Sequence, residues 1–255
     1  MGTAVGIDVR DPLLPAPVLV AVFAALRDIE ARFSTYRADS EISRLADGAL
    51  AEASCSPDVR YVLALCDALA RTSGGAFDAR HHRQDGRLDP SGLVKGWSID
   101  EAALLIEAAG GRDYLINAGG DVLARGEAAP GRPWRVGLRH PERADRFAAV
   151  LAVRDLAVAT SGAYERGSHI LDPRTGLPPR GLRSMTVVGP SLGFADAYAT
   201  AAFVMGLEGL AWVAERPGYD AYAITDDRRS VWTAGIEALL VREVAGGGGV
   251  SVRDE

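Results

Sequence analysis

Asp196 and Thr200, in the run Ala195-Asp196-Ala197-Tyr198-Ala199-Thr200, stand four residues apart and on a helix would share one face. A carboxylate and a hydroxyl are hard oxygen donors, suited to Mg²⁺, which completes its octahedron with waters and substrate phosphates. The alanines around them keep that face thin enough for a ligand or another backbone to approach. The plain alternative is structural: Thr200 bonds back to the carbonyl of residue 196 and Asp196 caps the helix. The pair alone leaves both readings open.

A second constellation is Leu88-Asp89-Pro90-Ser91-Gly92-Leu93-Val94-Lys95-Gly96-Trp97. Here a turn leads into a helix expected to begin near Leu93, and the free N–H groups of such a start favour an anion. Lys95 is then expected in the first turn, where its charge opposes the helix dipole and a phosphate would relieve the mismatch. The segment is not a P-loop, since the longer glycine loop and the following Ser/Thr are missing; a solvated lysine near a helix start explains it equally well.

Ala159-Thr160-Ser161-Gly162 reads as a small-residue turn that lets a ligand approach the backbone. After it, His169 opens a short apolar strand, His169 to Leu171, that ends in the turn Asp172-Pro173. The chain has only four histidines, and one so placed is either a general base working near neutral pH or a strand-end side chain with a structural hydrogen bond. Asn117-Ala118-Gly119-Gly120-Asp121 is a tight turn after a strand. It lacks the third glycine and following helix of a dinucleotide fingerprint, and no G-x-S-x-G elbow supports a serine hydrolase.

The elements that must position these residues follow from periodicity. Leu19, Val22, Phe23, Leu26, Ile29 and Phe33 recur at helical spacing. Ser56-Pro57-Asp58 has the N-cap, N1 proline and first-turn acid of a helix start, and that helix stops at Ser73-Gly74-Gly75. Further helices are expected up to Gly110-Gly111, from Ala195 to Met205 and from Leu207 to Glu215. Strands are expected at Met1 to Val9, Tyr114 to Ile116, Trp134 to Leu138, Phe147 to Val153, Met185 to Val188 and Ala221 to Thr225. The mixed order indicates an α+β fold rather than a regular βαβ array.

The chain has 255 residues, 48% of them hydrophobic, enough for one large domain or two intimately packed lobes. Its 28 basic and 34 acidic residues give a net charge of −6, which argues against a general nucleic-acid binder. Cys55 and Cys66 have no CxxC spacing, so neither a zinc site nor a redox pair is expected. No stretch approaches the ~20 apolar residues of a membrane span, and the run Val18 to Leu26 is part of an amphipathic helix, not a leader. A soluble cytoplasmic protein is expected, with no nucleic-acid partner and no membrane insertion. The four consecutive glycines Gly246 to Gly249 lead one to expect a flexible tail, residues 241–255, after a single domain spanning 1–240.

In order along the chain these segments resemble the ApbE family, the FAD:protein FMN transferases. The matching pieces are Met1-Gly2-Thr3, Phe33 to Arg37 with Asp39 to Leu45, Ser73 to Asp78, Gly92 to Gly96, the Asn117 to Asp121 turn, Thr160 to Gly162, His169 to Gly176 and Ala195 to Thr200. Together they cover about residues 1–236, and it is the ordered set that is specific. The resemblance implies two intimately packed mixed α/β lobes with an FAD cleft and a Mg²⁺ site between them. By position, Asp196 and Thr200 would hold the metal by side chain and Gly92 by its carbonyl. The FAD contacts would be Met1, Tyr36, Ala76, Phe77, Asp78, Asp89, Lys95 and Ile170, and His169 would be the catalytic base.

The implied reaction moves FMN from FAD to a Thr or Ser hydroxyl of an acceptor flavoprotein and releases AMP. Asp89-Pro90-Ser91-Gly92 departs from the family's commoner Asp-Leu-Gly-Gly. Thr160 to Tyr164 lacks the spaced acid and final Ser/Thr of a flavinylation motif, so the acceptor is expected to be a separate chain. Two alternatives stay open: an FAD pyrophosphatase with water as acceptor, and a non-catalytic flavin-binding protein.

Overall fold

The computed structural model describes residues 3–12, 14–80, 87–143, 145–162 and 170–241. In chain order its main elements are β1 (Val5–Val9), α1 (Ala16–Phe33), α2 (Glu41–Ala46), α3 (Pro57–Thr72), α4 (Ser91–Ala108), β2 (Tyr114–Ala118), β3 (Asp121–Arg125), β4 (Trp134–Arg139) and β5 (Phe147–Val153). They continue with β6 (Leu156–Gly162), β7 (Leu182–Gly189), α5 (Leu192–Met205), α6 (Glu208–Ala214), β8 (Asp220–Thr225) and β9 (Ser230–Trp232). The arrangement is α+β, as expected.

Seven strands form one antiparallel sheet in the order β1-β2-β3-β6-β7-β8-β9, and β4 pairs with β5 in a separate hairpin. Period-two alternation sorts side chains to the two faces of the large sheet. Leu123, Met185, Val187, Ala221 and Ala223 face the helices. Their neighbours Val122, Ala124, Val188, Tyr222 and Ile224 pack instead with Trp134, Val136, Leu151 and Val153 of the hairpin. Both faces are therefore covered. Burying a side chain such as Leu93, Ile99, Ile106 or Leu192 contributes about 1.5–3 kcal/mol each.

The helix layer is set by one close crossing. α4 packs against α5 and α1, and α5 lies across β6 and β7. At the crossing, a Cβ on Gly96 would fall 2.3 Å from the Leu192 carbonyl oxygen, and one on Gly193 would fall 3.0 Å from the Trp97 backbone. Asp100 of α4 fixes the start of α5: its carboxylate accepts from Ser191 Oγ (2.7 Å), Leu192 N–H (2.9 Å) and Gly193 N–H (2.8 Å). The two N–H groups are donors that a helix start leaves unsatisfied. Ser191 Oγ also accepts from Phe194 N–H, so Ser191, not Asp196, caps α5.

Four local expectations are corrected. Ala159 to Gly162 is not a turn but the end of β6, paired through Thr160↔Thr186 and Ser161↔Met185. Small side chains suit it there, because α5 must pass close above. Ile170 and Leu171 lie outside any strand, though both are buried. Helix α4 starts at Ser91 rather than near Leu93, which puts Lys95 in its second turn. Ser56 precedes α3 as expected but makes no side-chain cap; its N–H donates instead to Glu41 Oε2 at 2.6 Å. Among the described residues no helix is long and apolar enough to cross a membrane. Met1, His81, His82, His169 and residues 242–255 lie outside the described residues.

Candidate functional site

The α4–α5 crossing brings the separate constellations together. Asp196 projects from the second turn of α5 and is 4% exposed; Thr200 follows one turn later, half-buried. Lys95 of α4 reaches the same place, its Nζ 3.5 Å from Asp196 Oδ1. Gly92, one turn earlier on α4, sits where a Cβ would lie 3.1 Å from the Phe77 ring and 3.9 Å from Thr200 Oγ1. Any side chain at 92 would therefore grow into the space that Phe77 and the Thr200 hydroxyl border. Phe77 is held by its own N–H, which donates to Ser73 Oγ at 3.0 Å.

Two residues outside the expected set join the cluster. Asp121, first residue of β3 and 3% exposed, places Oδ2 2.5 Å from Lys95 Nζ. Its Oδ1 accepts from Thr160 N–H at 3.0 Å. Ser161, next along β6, has its hydroxyl 3.2 Å from that of Thr200. The sequence marks Asp121 only as the residue after a glycine turn and does not reveal the lysine that it pairs with. Asn117 closes the Gly119-Gly120 turn by accepting from Gly120 N–H, which leaves the carboxylate of the next residue, Asp121, without a task in the turn.

The remaining expected contacts differ in burial. Ala76 and Ile170 are buried, whereas Asp78 and Asp89 are half-buried. Each carboxylate orders the chain around it: Asp78 Oδ1 accepts from Arg80 N–H (2.7 Å) and Asp89 Oδ1 from Ser91 N–H (3.0 Å). Tyr36 is 85% exposed, an aromatic face held in solvent. The loop after Leu171 lies against Gly75, where Arg174 Cγ is 3.4 Å from a built Cβ.

The electrostatics of the buried cluster are unbalanced. One ammonium, Lys95, faces two carboxylates, Asp121 and Asp196. Asp196 Oδ2 is buried with no hydrogen-bond partner. Burial first, and the Asp121 charge second, push the Asp196 carboxyl well above the ordinary carboxylate range, although Lys95 opposes the shift. A buried carboxylate with one oxygen unsatisfied, beside a hydroxyl and a glycine backbone, suits a hard divalent cation. Among the described residues no three His, Cys, Asp or Glu gather around a point. A cation here would draw its other ligands from water and phosphate oxygens.

A pH dependence follows. The folded value of Asp196 lies above the unfolded one, so the folded state holds the proton more tightly and the group's contribution to stability falls as pH rises through the window. In chelator, wild type and Asp196→Asn should melt close together at about pH 5 and diverge by about pH 8, with wild type the less stable. Mg²⁺ added at the higher pH should narrow the gap. Parallel melting curves across that range would remove the raised proton affinity assigned to this carboxylate.

The ApbE family model matches residues 1–84 and 79–223. An FAD:protein FMN transferase of Haemophilus influenzae is 26% identical over 263 residues, covering 79% of this chain and 76% of that protein. Those of Treponema pallidum and Escherichia coli K12 are each 37% identical, over 169 and 158 residues, covering 59% and 57% of this chain. The alignments span 47% and 44% of those two proteins, less than half their length. The solved structure "Flavin Transferase ApbE from Vibrio cholerae" superposes with a TM-score of 0.82 at 24% identity, covering 94% of this chain and 96% of that one. The ApbE protein of Thermotoga maritima gives 0.80 at 22%, covering 94% and 97%. These two likenesses are of fold.

Proposed function

Because the chain belongs to the ApbE family, we propose that it transfers the FMN half of FAD to a Thr or Ser hydroxyl of a separate acceptor flavoprotein, releasing AMP. One observation carries the reading: α4 and α5 cross so closely that Lys95, Asp196, Thr200 and the Gly92 backbone border one space, with a buried carboxylate oxygen still unsatisfied. Curated relatives named for this activity support the flavin and the protein acceptor.

In this reading Asp196, Thr200 and the Gly92 carbonyl would hold Mg²⁺, which would supply charge neutralisation for the pyrophosphate. The chain's own groups do the rest. The Lys95 ammonium meets the phosphate oxygens, where its charge opposes the negative charge that builds as the bond to AMP breaks. Phe77 and Ala76 shape an apolar wall, and the exposed Tyr36 offers a face for the flavin ring. The acceptor oxygen forms a bond to the phosphorus that carries the riboflavin moiety. The phosphoanhydride P–O bond breaks, AMP leaves with the electron pair, and the acceptor proton passes to His169. Met1, Asp78, Asp89 and Ile170 complete the proposed FAD contacts.

The test is mass spectrometry of a candidate acceptor incubated with the protein, FAD and Mg²⁺. The acceptor should gain one FMN moiety, with AMP in equal amount, and chelator should stop both. An unmodified acceptor that a known transferase does flavinylate, with FAD left intact, would overturn the proposal. FMN released at the same rate with and without acceptor would replace it by FAD hydrolysis.

A further inference from the structure

We propose that Asp121 is a positioning residue that keeps the Lys95 ammonium off Asp196, so that the Asp196 carboxylate stays available to a divalent cation. This rests on the metal reading above and adds to it a residue that is not among the candidate metal ligands or FAD contacts.

The geometry is asymmetric. Lys95 Nζ is 2.5 Å from Asp121 Oδ2 and 3.5 Å from Asp196 Oδ1, so it leans toward the carboxylate that is not a candidate ligand. That carboxylate is also the better fixed of the two. Asp121 begins β3, its Oδ1 is tied to Thr160 N–H, and β3 pairs with both β2 and β6. Asp121 Oδ2 and Asp196 Oδ2 are alike in being buried without a hydrogen-bond partner, so the difference between the two carboxylates lies in the Lys95 distances and in the Thr160 bond. A lysine ammonium is a compact charge on a flexible stem, and it pairs with whichever anion is nearest. With the Asp121 charge removed, a shift of about an ångström would carry it onto Asp196, where a cation would have to displace it.

The same carboxylate is tied to the other candidate ligand. Thr160 bonds Asp121, and Ser161, the next residue on β6, meets the Thr200 hydroxyl. Asp121, 3% exposed, is thus linked to both candidate donors, through Lys95 to Asp196 and through the Thr160-Ser161 strand segment to Thr200.

Asp121→Asn isolates the effect, because the amide oxygen can still accept from Thr160 N–H while the charge is gone. Mn²⁺ alone is the probe, its binding read by electron paramagnetic resonance of the free ion, with a melting curve for each variant. Asp121→Asn should weaken Mn²⁺ binding about ten- to a hundredfold. In a Lys95→Met background the same substitution should change it by less than about threefold, because the competing ammonium is absent. Asp121→Ser, smaller and equally uncharged, serves the same cycle should the Asn variant fold poorly.

Equal weakening in both backgrounds would overturn the proposal, since the Asp121 charge would then act on the cation directly. Wild-type affinity in Asp121→Asn would overturn it too. Wild-type protein that binds no Mn²⁺ would instead bring down the metal reading, and this inference with it.

Discussion

Asp196→Ala is expected to lower FMN transfer by at least about a hundredfold while leaving the melting temperature of the metal-free protein unchanged or higher. The two directions have one cause. Groups that merely support a metal ligand are worth about ten- to a hundredfold, so loss of a carboxylate ligand itself should cost no less. Yet in the metal-free chain the same carboxylate is a burden. It is buried, one oxygen lacks a partner, and both burial and Asp121 raise its proton affinity. Deleting it leaves Lys95 paired with Asp121, an ion pair with balanced charge. Flavin transfer measured by mass spectrometry, beside melting in chelator, checks both halves. Transfer within about threefold of wild type would remove Asp196 from the metal site. Lost transfer together with a collapsed fold would make it a structural residue instead.

What the sequence makes legible is local. Asp196 and Thr200 are readable because α5 keeps its helical period through an alanine-rich stretch, and an i, i+4 pair needs no knowledge of the rest of the fold. The boundaries of α1 and α3 follow from Pro15 to Pro17, Pro57 and the Gly74-Gly75 stop in the same way. What depends on strand pairing is not readable. Thr160, Ser161 and Gly162 have the composition of a turn, and only their register with β7 and the passage of α5 above them make them a strand. α2 is six residues long, too short for periodicity to declare itself; it is held by Ser40, whose Oγ accepts from Ser43 N–H. Asp121 escapes for the same reason as β6: its partner Lys95 is brought to it by the helix–sheet packing. Gly92 entered through family resemblance alone, since no spacing rule marks a backbone carbonyl.

That dependence on packing puts the second large effect at a residue with no chemistry. Gly96→Ala should destabilise the fold by about 3 kcal/mol or more and abolish the cation site in whatever remains folded. The added Cβ would lie 2.3 Å from the Leu192 carbonyl oxygen, 2.6 Å from Leu192 C and 2.8 Å from Gly193 Cα. All three are backbone atoms of the α5 start, which Asp100 holds through three hydrogen bonds, so no flexible side chain can yield. The helices must separate. Gly92 and Lys95 lie on one side of that crossing and Asp196 and Thr200 on the other, so a separation large enough to admit a methyl group also parts the candidate donors. Gly6→Ala is the control, since a Cβ there meets nothing within 4 Å and should leave stability and Mn²⁺ binding near wild type. Denaturant unfolding of both variants, followed by Mn²⁺ titration of the folded fraction, separates the two effects. A Gly96→Ala protein as stable as Gly6→Ala would show that the crossing has slack. The distances at the site would then owe less to that contact than to the sheet beneath it.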